Sequence, residues 1–479
     1  MLVRRDGTVL VGSMKLNLER GRTATRTLVE QIVEAVQGAI TQRVLRAGDL
    51  LPSIRTLARE HVLSAFTVAE AYQRLVSLDL IVSRRGSGYR VADGLTPALA
   101  PTPGWAAPSL SAAWLLSDVF ADHSVPIKAG CGWIPNEWIN ESGLQHAFRV
   151  MSRLPGPRLG GYGHPFGMAS LREHIAAALR RYSVPADASN VLLTQGATQA
   201  MDLVVRTLLR PGDTVLVEDP CYCNLLQILQ LAGLNVIGVT RTVDGLDLDQ
   251  LEQVITRARP KAIFINTVLQ NPSGSSLSLA AAFRVVQLAD RHGLWVIEDD
   301  IYRDLAPVGS PCLAAMEGLN RVIYISGFSK TITPTLRVGY LAAHRDVLAD
   351  LARTKMAVGL TSSDIAERLV ANILIEGHYE RHVGFLTEKL HRAHERVVAS
   401  MLAVGMQVFH QPRAGLFLWA RLPIDPGHTA QVTTRALQHG IWLAPGSYFR
   451  PADQPSDWFR FNVATSDVPV LWDFIRTLS

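Results

Sequence analysis

Residues 294–340 read LWVIEDDIYRDLAPVGSPCLAAMEGLNRVIYISGFSKTITPTLRVGY, and two apolar runs inside them decide the fold. The run 295–299 leads into Glu298-Asp299-Asp300-Ile301-Tyr302. The run 322–326 leads into Gly327-Phe328-Ser329-Lys330, with Arg337-Val338-Gly339-Tyr340 close behind. Short unbroken apolar runs that end in polar clusters are the pattern of parallel strands buried on both faces. Working outward, the runs 191–194, 214–218, 235–239 and 262–266 have the same character, and amphipathic segments at 197–209, 223–232 and 279–292 lie between them. The alternation predicts an α/β body over 116–479, a large mixed or parallel sheet with helices on both sides. Ligands of such sheets gather beyond the carboxyl ends of the strands.

Those ends carry a consistent chemistry. Lys330 is one of only six lysines, against 41 arginines. A buried lysine can shed its proton and form a Schiff base with an aldehyde, which arginine cannot do. A pyridoxal 5′-phosphate site needs that lysine, a carboxylate for the ring nitrogen and donors for the ring oxygen. It also needs an aromatic ring for stacking, and amides or cations for the phosphate. Lys330, Asp299, the pair Asn271 and Tyr302, Tyr222, and Gly196-Ala197-Thr198 with Arg337 supply these in turn. Singly, Asn271-Pro272-Ser273-Gly274 is an ordinary turn and Asp299 an ordinary helix cap. The ordered set carries the reading.

With Gly163-His164-Pro165-Phe166-Gly167-Met168-Ala169-Ser170-Leu171-Arg172, Asp219-Pro220-Cys221-Tyr222, Ser329-Lys330 and Phe459-Arg460-Phe461-Asn462 added, the body resembles class I/II aminotransferases of fold type I. The resemblance implies a small C-terminal subdomain and makes Lys330 the Schiff-base residue. It adds Ser329 to the cofactor set and places Tyr162 on the phosphate of a partner subunit's cofactor. It also makes Arg460 the clamp for a substrate or effector carboxylate, a role that suits a bidentate fork. The family often has a hydroxyl residue three before the lysine; here that place is Gly327, and Ser326 or Ser329 takes over.

The formal net charge is +5, and residues 1–92, with 14 lysines and arginines against 8 acids, hold the whole basic surplus. Such asymmetry points to a polyanion-binding module. Leu28, Ile32, Val36 and Ile40 stripe a helix over 25–43. Ser53 and Ser64 are N-cap candidates for two further helices, in which Leu57, Ala58, Val68, Tyr72, Leu75 and Val76 face inward. Two short β-like runs, 80–83 and 89–92, flank a hairpin with Gly86 and Gly88. That order is a winged helix-turn-helix over 20–92, whose third helix enters the major groove. Arg55, Ser64, Thr67, Arg74, Arg84, Arg85, Gly86 and Gly88 form its expected DNA-contacting set. Leu45-Arg46-Ala47-Gly48-Asp49-Leu50-Leu51-Pro52-Ser53-Ile54-Arg55-Thr56-Leu57-Ala58, Thr67-Val68 and Ala71-Tyr72-Gln73-Arg74-Leu75 make the segment resemble the GntR family of bacterial regulators. Where that family often has a basic residue after the capping serine, this chain has Ala65 and Phe66.

Residues 93–115 read as a proline-rich linker between the two parts. A GntR-like head on an aminotransferase-like body resembles the MocR subfamily of transcriptional regulators. The resemblance implies a homodimer, head-to-tail, that binds double-stranded operator DNA and senses pyridoxal phosphate or an amino-compound effector. The alternative is a working aminotransferase with an accessory DNA-binding module. No run long enough for a membrane span and no secretory signal occurs, so a cytoplasmic protein is expected. Four scattered cysteines predict neither a disulfide framework nor a metal site. Cys221 and Cys223 read as packing, and His378-Tyr379-Glu380-Arg381-His382 as a solvated helix face. Trp133 and Trp138 are candidates for shaping effector selectivity.

Overall fold

The computed structural model describes residues 27–41, 45, 48–78, 80–84, 88–92, 125–153, 160–375, 377–452 and 454–478, with the backbone of 2–3 and 9–10. The predicted linker, Arg85 and Gly86 lie outside the described residues, as does the side chain of Arg84. The chain separates into two compact units, Met1–Ala107 and Pro108–Ser479.

In the first unit, α1 (Leu28–Thr41) turns Ile32 and Val36 fully inward, as the four-residue stripe requires. Both serines cap as expected. Ser53 accepts from the Thr56 amide at the start of α2 (Ile54–Glu60), and Ser64 accepts from the Thr67 amide at the start of α3 (Ala65–Ser77). Each cap satisfies a helical amide that would otherwise lack a partner, worth about 1 kcal/mol. Leu57, Val68, Tyr72 and Leu75 are fully buried and close the core. The Tyr72 hydroxyl donates to the Pro52 carbonyl at 2.9 Å, tying α3 to the entry of α2. The wing pairs β1 (Ile81–Arg84) antiparallel to β2 (Gly88–Val91), with Ile81 opposite Val91.

In the second unit, the sequence runs α4 (Glu141–Met151), α5 (Ala169–Arg181), β3 (Val191–Thr194), α6 (Gly196–Leu208), β4 (Thr214–Asp219) and α7 (Cys223–Leu231). Next come β5 (Asn235–Thr242), β6 (Gly245–Leu246), α8 (Leu248–Ala258), β7 (Ala262–Asn266), α9 (Leu279–His292), β8 (Trp295–Asp299), α10 (Leu313–Glu317), β9 (Val322–Gly327) and β10 (Gly339–Ala342). They form an eight-stranded sheet in the order β3-β10-β9-β8-β7-β4-β5-β6. The strands β5, β4, β7, β8 and β9 are mutually parallel, whereas β10 runs antiparallel to both β9 and β3. The apolar runs do form the strands; those of β3, β4, β7, β8 and β9 are buried on both faces, whereas β5, next to the short β6, is half-exposed over 235–238.

Beyond the sheet lie α11 (Arg345–Gly359), α12 (Asp364–Ile375) and α13 (His378–Ala403). A smaller antiparallel sheet follows, built from β11 (Gln407–Val408), β12 (Phe417–Arg421), β13 (Ala444–Pro445) and β14 (Trp458–Asn462) in the order β11-β12-β14-β13. Leu386, Leu390, Val397 and Met401 on α13 pack into one core with Leu418, Phe459 and Phe461. One expectation is corrected here. The run 378–382 is not a solvated face: Tyr379 and His382 are buried, because their three-residue spacing continues into the apolar stripe of α13. The Tyr379 hydroxyl donates to Asp304 and lies 2.9 Å from the hydroxyl of Thr331, the residue after Lys330.

Candidate functional site

Lys330 follows β9 by three residues, and its ammonium donates to the Gly132 carbonyl at 2.6 Å. The same turn meets Arg460, which β14 presents with 1% of its surface exposed. Its Nη2 donates to the Gly130 carbonyl at 2.6 Å and its Nη1 to the Asn271 side-chain oxygen at 3.0 Å. The guanidinium lies between the rings of Phe417 and Phe449, 4.7 and 4.8 Å from their centroids. A planar cation held by stacking and fixed acceptors is rigid before any ligand arrives. Lys330 and Arg460 thus meet at the segment 130–132, and Asn271 is bound to Arg460.

Asp299 ends β8. Its carboxylate accepts from the Ile301 amide at 3.3 Å, and burial pushes its pKa up to about 7. Its backbone carbonyl accepts from the Asn266 side chain at 2.6 Å, while the Asn266 side-chain oxygen accepts the Asn271 amide at 2.9 Å. Asn266 therefore locks the carboxylate strand to the asparagine loop. Tyr302 is buried edge-on to Phe417, and its phenol feels the charges of Asp299 and Arg460. Tyr222 precedes α7, half-buried, and joins both Tyr302's surroundings and an aromatic cluster with Phe449 and Trp419.

Gly196 opens α6 with φ +78°, and a Cβ there would stand 2.7 Å from the Arg337 guanidinium. Arg337 is thus held against the helix start, where the amides of Gly196, Ala197 and Thr198 lack helical acceptors and favour an anion. At Gly339 a Cβ would approach Gly196 and Ala197 to 2.5 and 2.6 Å, so only glycine lets β10 lie this close. Gly327 is equally constrained: a Cβ would meet Gly339 Cα at 2.9 Å. A hydroxyl side chain does not fit there. The Ser326 hydroxyl donates to the Asp300 carbonyl at 3.0 Å, which leaves the half-buried Ser329 beside Lys330. A cavity of ≈330 Å³ adjoins this corner, lined by Gln195, Arg337, Ser362 and Glu367.

Other predicted residues are placed differently. Tyr162 is 87% exposed. On the head, Arg55 and Arg74 are exposed, whereas Ser64 and Thr67 share a hydroxyl–hydroxyl bond of 2.7 Å. Gly88 takes φ +80°. Cys221 and Cys223 are buried, and Trp133 stacks on Trp442 at 5.9 Å.

Sequence reasoning misses the supporting layer. Glu218 is fully enclosed, ion-paired with Arg241, and accepts from the Asn266 amide at 3.0 Å and the Gln270 side chain at 3.2 Å. Arg241 also donates to the Ser275 side chain and carbonyl, both at 3.0 Å. This network holds the loop that carries Asn271. Glu298 accepts from Thr267 at 2.7 Å and from the Leu313 and Ala314 amides at 2.9 and 2.8 Å. Asp300 pairs with Arg303 at 2.5 Å. Charged residues inside apolar strand runs are the available signal, since such groups stay buried only when paired.

The family described as aminotransferase class I and II matches residues 140–477, and that of bacterial regulatory proteins, gntR family, matches residues 28–91. The chain is 28% identical to the uncharacterized HTH-type transcriptional regulator YdcR of Escherichia coli (strain K12), over 91% of this chain and 94% of that protein. It is 27% identical to the probable rhizopine catabolism regulatory protein MocR of Rhizobium meliloti, over 76% and 74%. The crystal structure of LysN, the α-aminoadipate aminotransferase of Thermus thermophilus, complexed with N-(5′-phosphopyridoxyl)-L-leucine, aligns with a TM-score of 0.70. That alignment covers 78% of this chain and 94% of LysN at 27% identity. Among the described residues no helix is long and apolar enough to cross a membrane. The chain belongs to the class I and II aminotransferase family and joins that body to a gntR-family helix-turn-helix head, the composition of the MocR-type regulators.

Proposed function

We propose that the body holds pyridoxal 5′-phosphate on Lys330 and senses an amino-compound effector, whose binding changes how the head reads DNA. The observation that carries this is that Lys330 and Arg460 both donate to carbonyls of residues 130–132, with Asn271 bound to the same Arg460 guanidinium. The residues fit the cofactor on two counts. Asp299 is a half-buried carboxylate whose desolvation pushes it up to about 7, and a protonated ring nitrogen would return it to its ionised form. Gly196 and Gly339 leave no room for side chains where amides and Arg337 would meet a phosphate.

When bound, the cofactor supplies an aldehyde with which amines condense. The chain supplies the rest. Lys330 provides the resident amine, Asp299 holds the ring nitrogen's proton, and Asn271 and Tyr302 donate toward the ring oxygen. Tyr222 provides the stacking face. Gly196, Ala197, Thr198, Ser329 and Arg337 bind the phosphate, and Tyr162 reaches a partner subunit's site in a head-to-tail homodimer. Arg460 binds the effector carboxylate, so an amine lacking a carboxylate is a poor effector. The head, residues 20–92, binds operator DNA through Arg55, Ser64, Thr67, Arg74, Arg84, Arg85, Gly86 and Gly88, and residues 93–115 connect it to the body, 116–479. Sensing becomes regulation only if the effector prefers one of two states, and a tenfold preference corresponds to ~1.4 kcal/mol.

The test is a titration of the cofactor-loaded full chain with amino acids, following visible absorbance and operator affinity together. The expected result is one effector that changes both with a common midpoint, and loss of both responses in Arg460→Ala. An absorbance change with no change in DNA affinity contradicts the sensor. The presence of Lys330 and Arg460 in one site also favours a second reading, a working aminotransferase. Sustained transfer between an amino acid and a keto acid at ordinary rates of about 1–10³ s⁻¹ would support it.

A further inference from the structure

Phe66 stands in the first turn of α3, behind the Ser64 cap, and 78% of its surface is exposed. The same helix buries Val68, Ala71, Tyr72 and Leu75 completely, and Val76 packs half-buried against them, so its other large apolar residues are spent on the core. Its outward face carries Ala65, Phe66, Glu70, Gln73 and Arg74. Phe66 and Gln73 are seven residues apart, which puts them on nearly the same line along the helix, about 10 Å from each other. A phenyl ring left in water gives up the burial its neighbours gain. The question is what covers it.

The setting favours DNA. Residues 1–92 carry 14 lysines and arginines against 8 acids, and Arg55 and Arg74 are exposed on the same unit. The partner's charge is thereby matched, while backbone contacts of this kind carry no sequence information. In the major groove the one apolar group a base pair displays is the 5-methyl of thymine, which apolar side chains contact. We propose that Phe66 reads a thymine methyl, making it a specificity-determining residue of the head. Gln73, farther along the same line, carries the amide whose two-bond match is adenine. The half-site therefore contains A·T pairs under α3. This inference rests on the DNA-reading function proposed above.

The experiment starts from duplexes enriched from a random pool by the full-length chain. Each thymine of the enriched sequence is then replaced singly by deoxyuridine, which deletes only the methyl. Binding is followed by fluorescence anisotropy at fixed salt. The wild type should lose about fourfold in affinity at one or two positions, the effect of withdrawing one buried methyl. Phe66→Ala should show no such penalty at those positions, and Phe66→Leu should retain part of it. The side chain is in water, so these variants fold as the wild type does. Equal uracil penalties in wild type and Phe66→Ala, or none in the wild type, overturn the methyl reading while leaving DNA reading intact. Failure of the pool to yield any enriched sequence overturns both.

Discussion

Gly327 shows how a single residue records the packing of this site. A side chain there would strike β10, where a Cβ would lie 2.9 Å from Gly339 Cα and 3.0 Å from the Val338 carbonyl. Gly327→Ser is therefore expected to destabilise the body by about 1–3 kcal/mol, read as a lower Tm, because backbone rather than a flexible side chain must yield. Asp299 makes a second prediction, in pH. Its folded pKa, about 7, lies above its ordinary value of 3.8 because burial disfavours the charge. The folded state then binds more protons than the unfolded chain between these limits, so this group's contribution falls as pH rises from about 4 to about 7 and is level above. In the cofactor-free protein Asp299→Asn should remove part of that fall in a urea-melt series. An unchanged pH profile in the variant would contradict the assignment. At this scale the sequence displays Lys330, Asp299, Asn271 and Arg460, since each is a chemically unusual residue at a strand end or in a recognisable run. It does not display Asn266, Gln270 or Arg241, whose importance depends on contacts 5 to 52 positions apart.

At the scale of elements, caps and stripes are the legible features. The helices α1, α2 and α3 follow from one apolar repeat and two serines. Ser64→Ala should cost the first unit about 1 kcal/mol, measured by thermal melting, with its DNA affinity reduced in parallel. Strands with unbroken apolar runs are equally plain. The strand β10 is hidden because it is four residues long, begins with glycine and carries no alternation. Its antiparallel course cannot be read from a local pattern at all. Tyr379 is misplaced by sequence reasoning because five polar and aromatic residues in a row resemble a wet surface. Only the 26-residue extent of α13 reveals which of them face inward.

Across the whole molecule, two units with separate cores occupy one chain, and residues 1–92 hold its basic surplus. If Arg55 and Arg74 contact phosphates, each alanine replacement should flatten the dependence of log affinity on log salt by about 0.9 and weaken binding evenly across sequences. A change confined to one operator sequence would instead mark the arginine as a base reader. The body's claim is tested most directly by chemistry at one amine. The purified full chain, loaded with pyridoxal 5′-phosphate, is reduced with borohydride, digested and mapped by mass spectrometry. The account predicts a phosphopyridoxyl label on the peptide that contains Lys330 and none in Lys330→Ala. A wild-type digest in which that peptide is unmodified contradicts it.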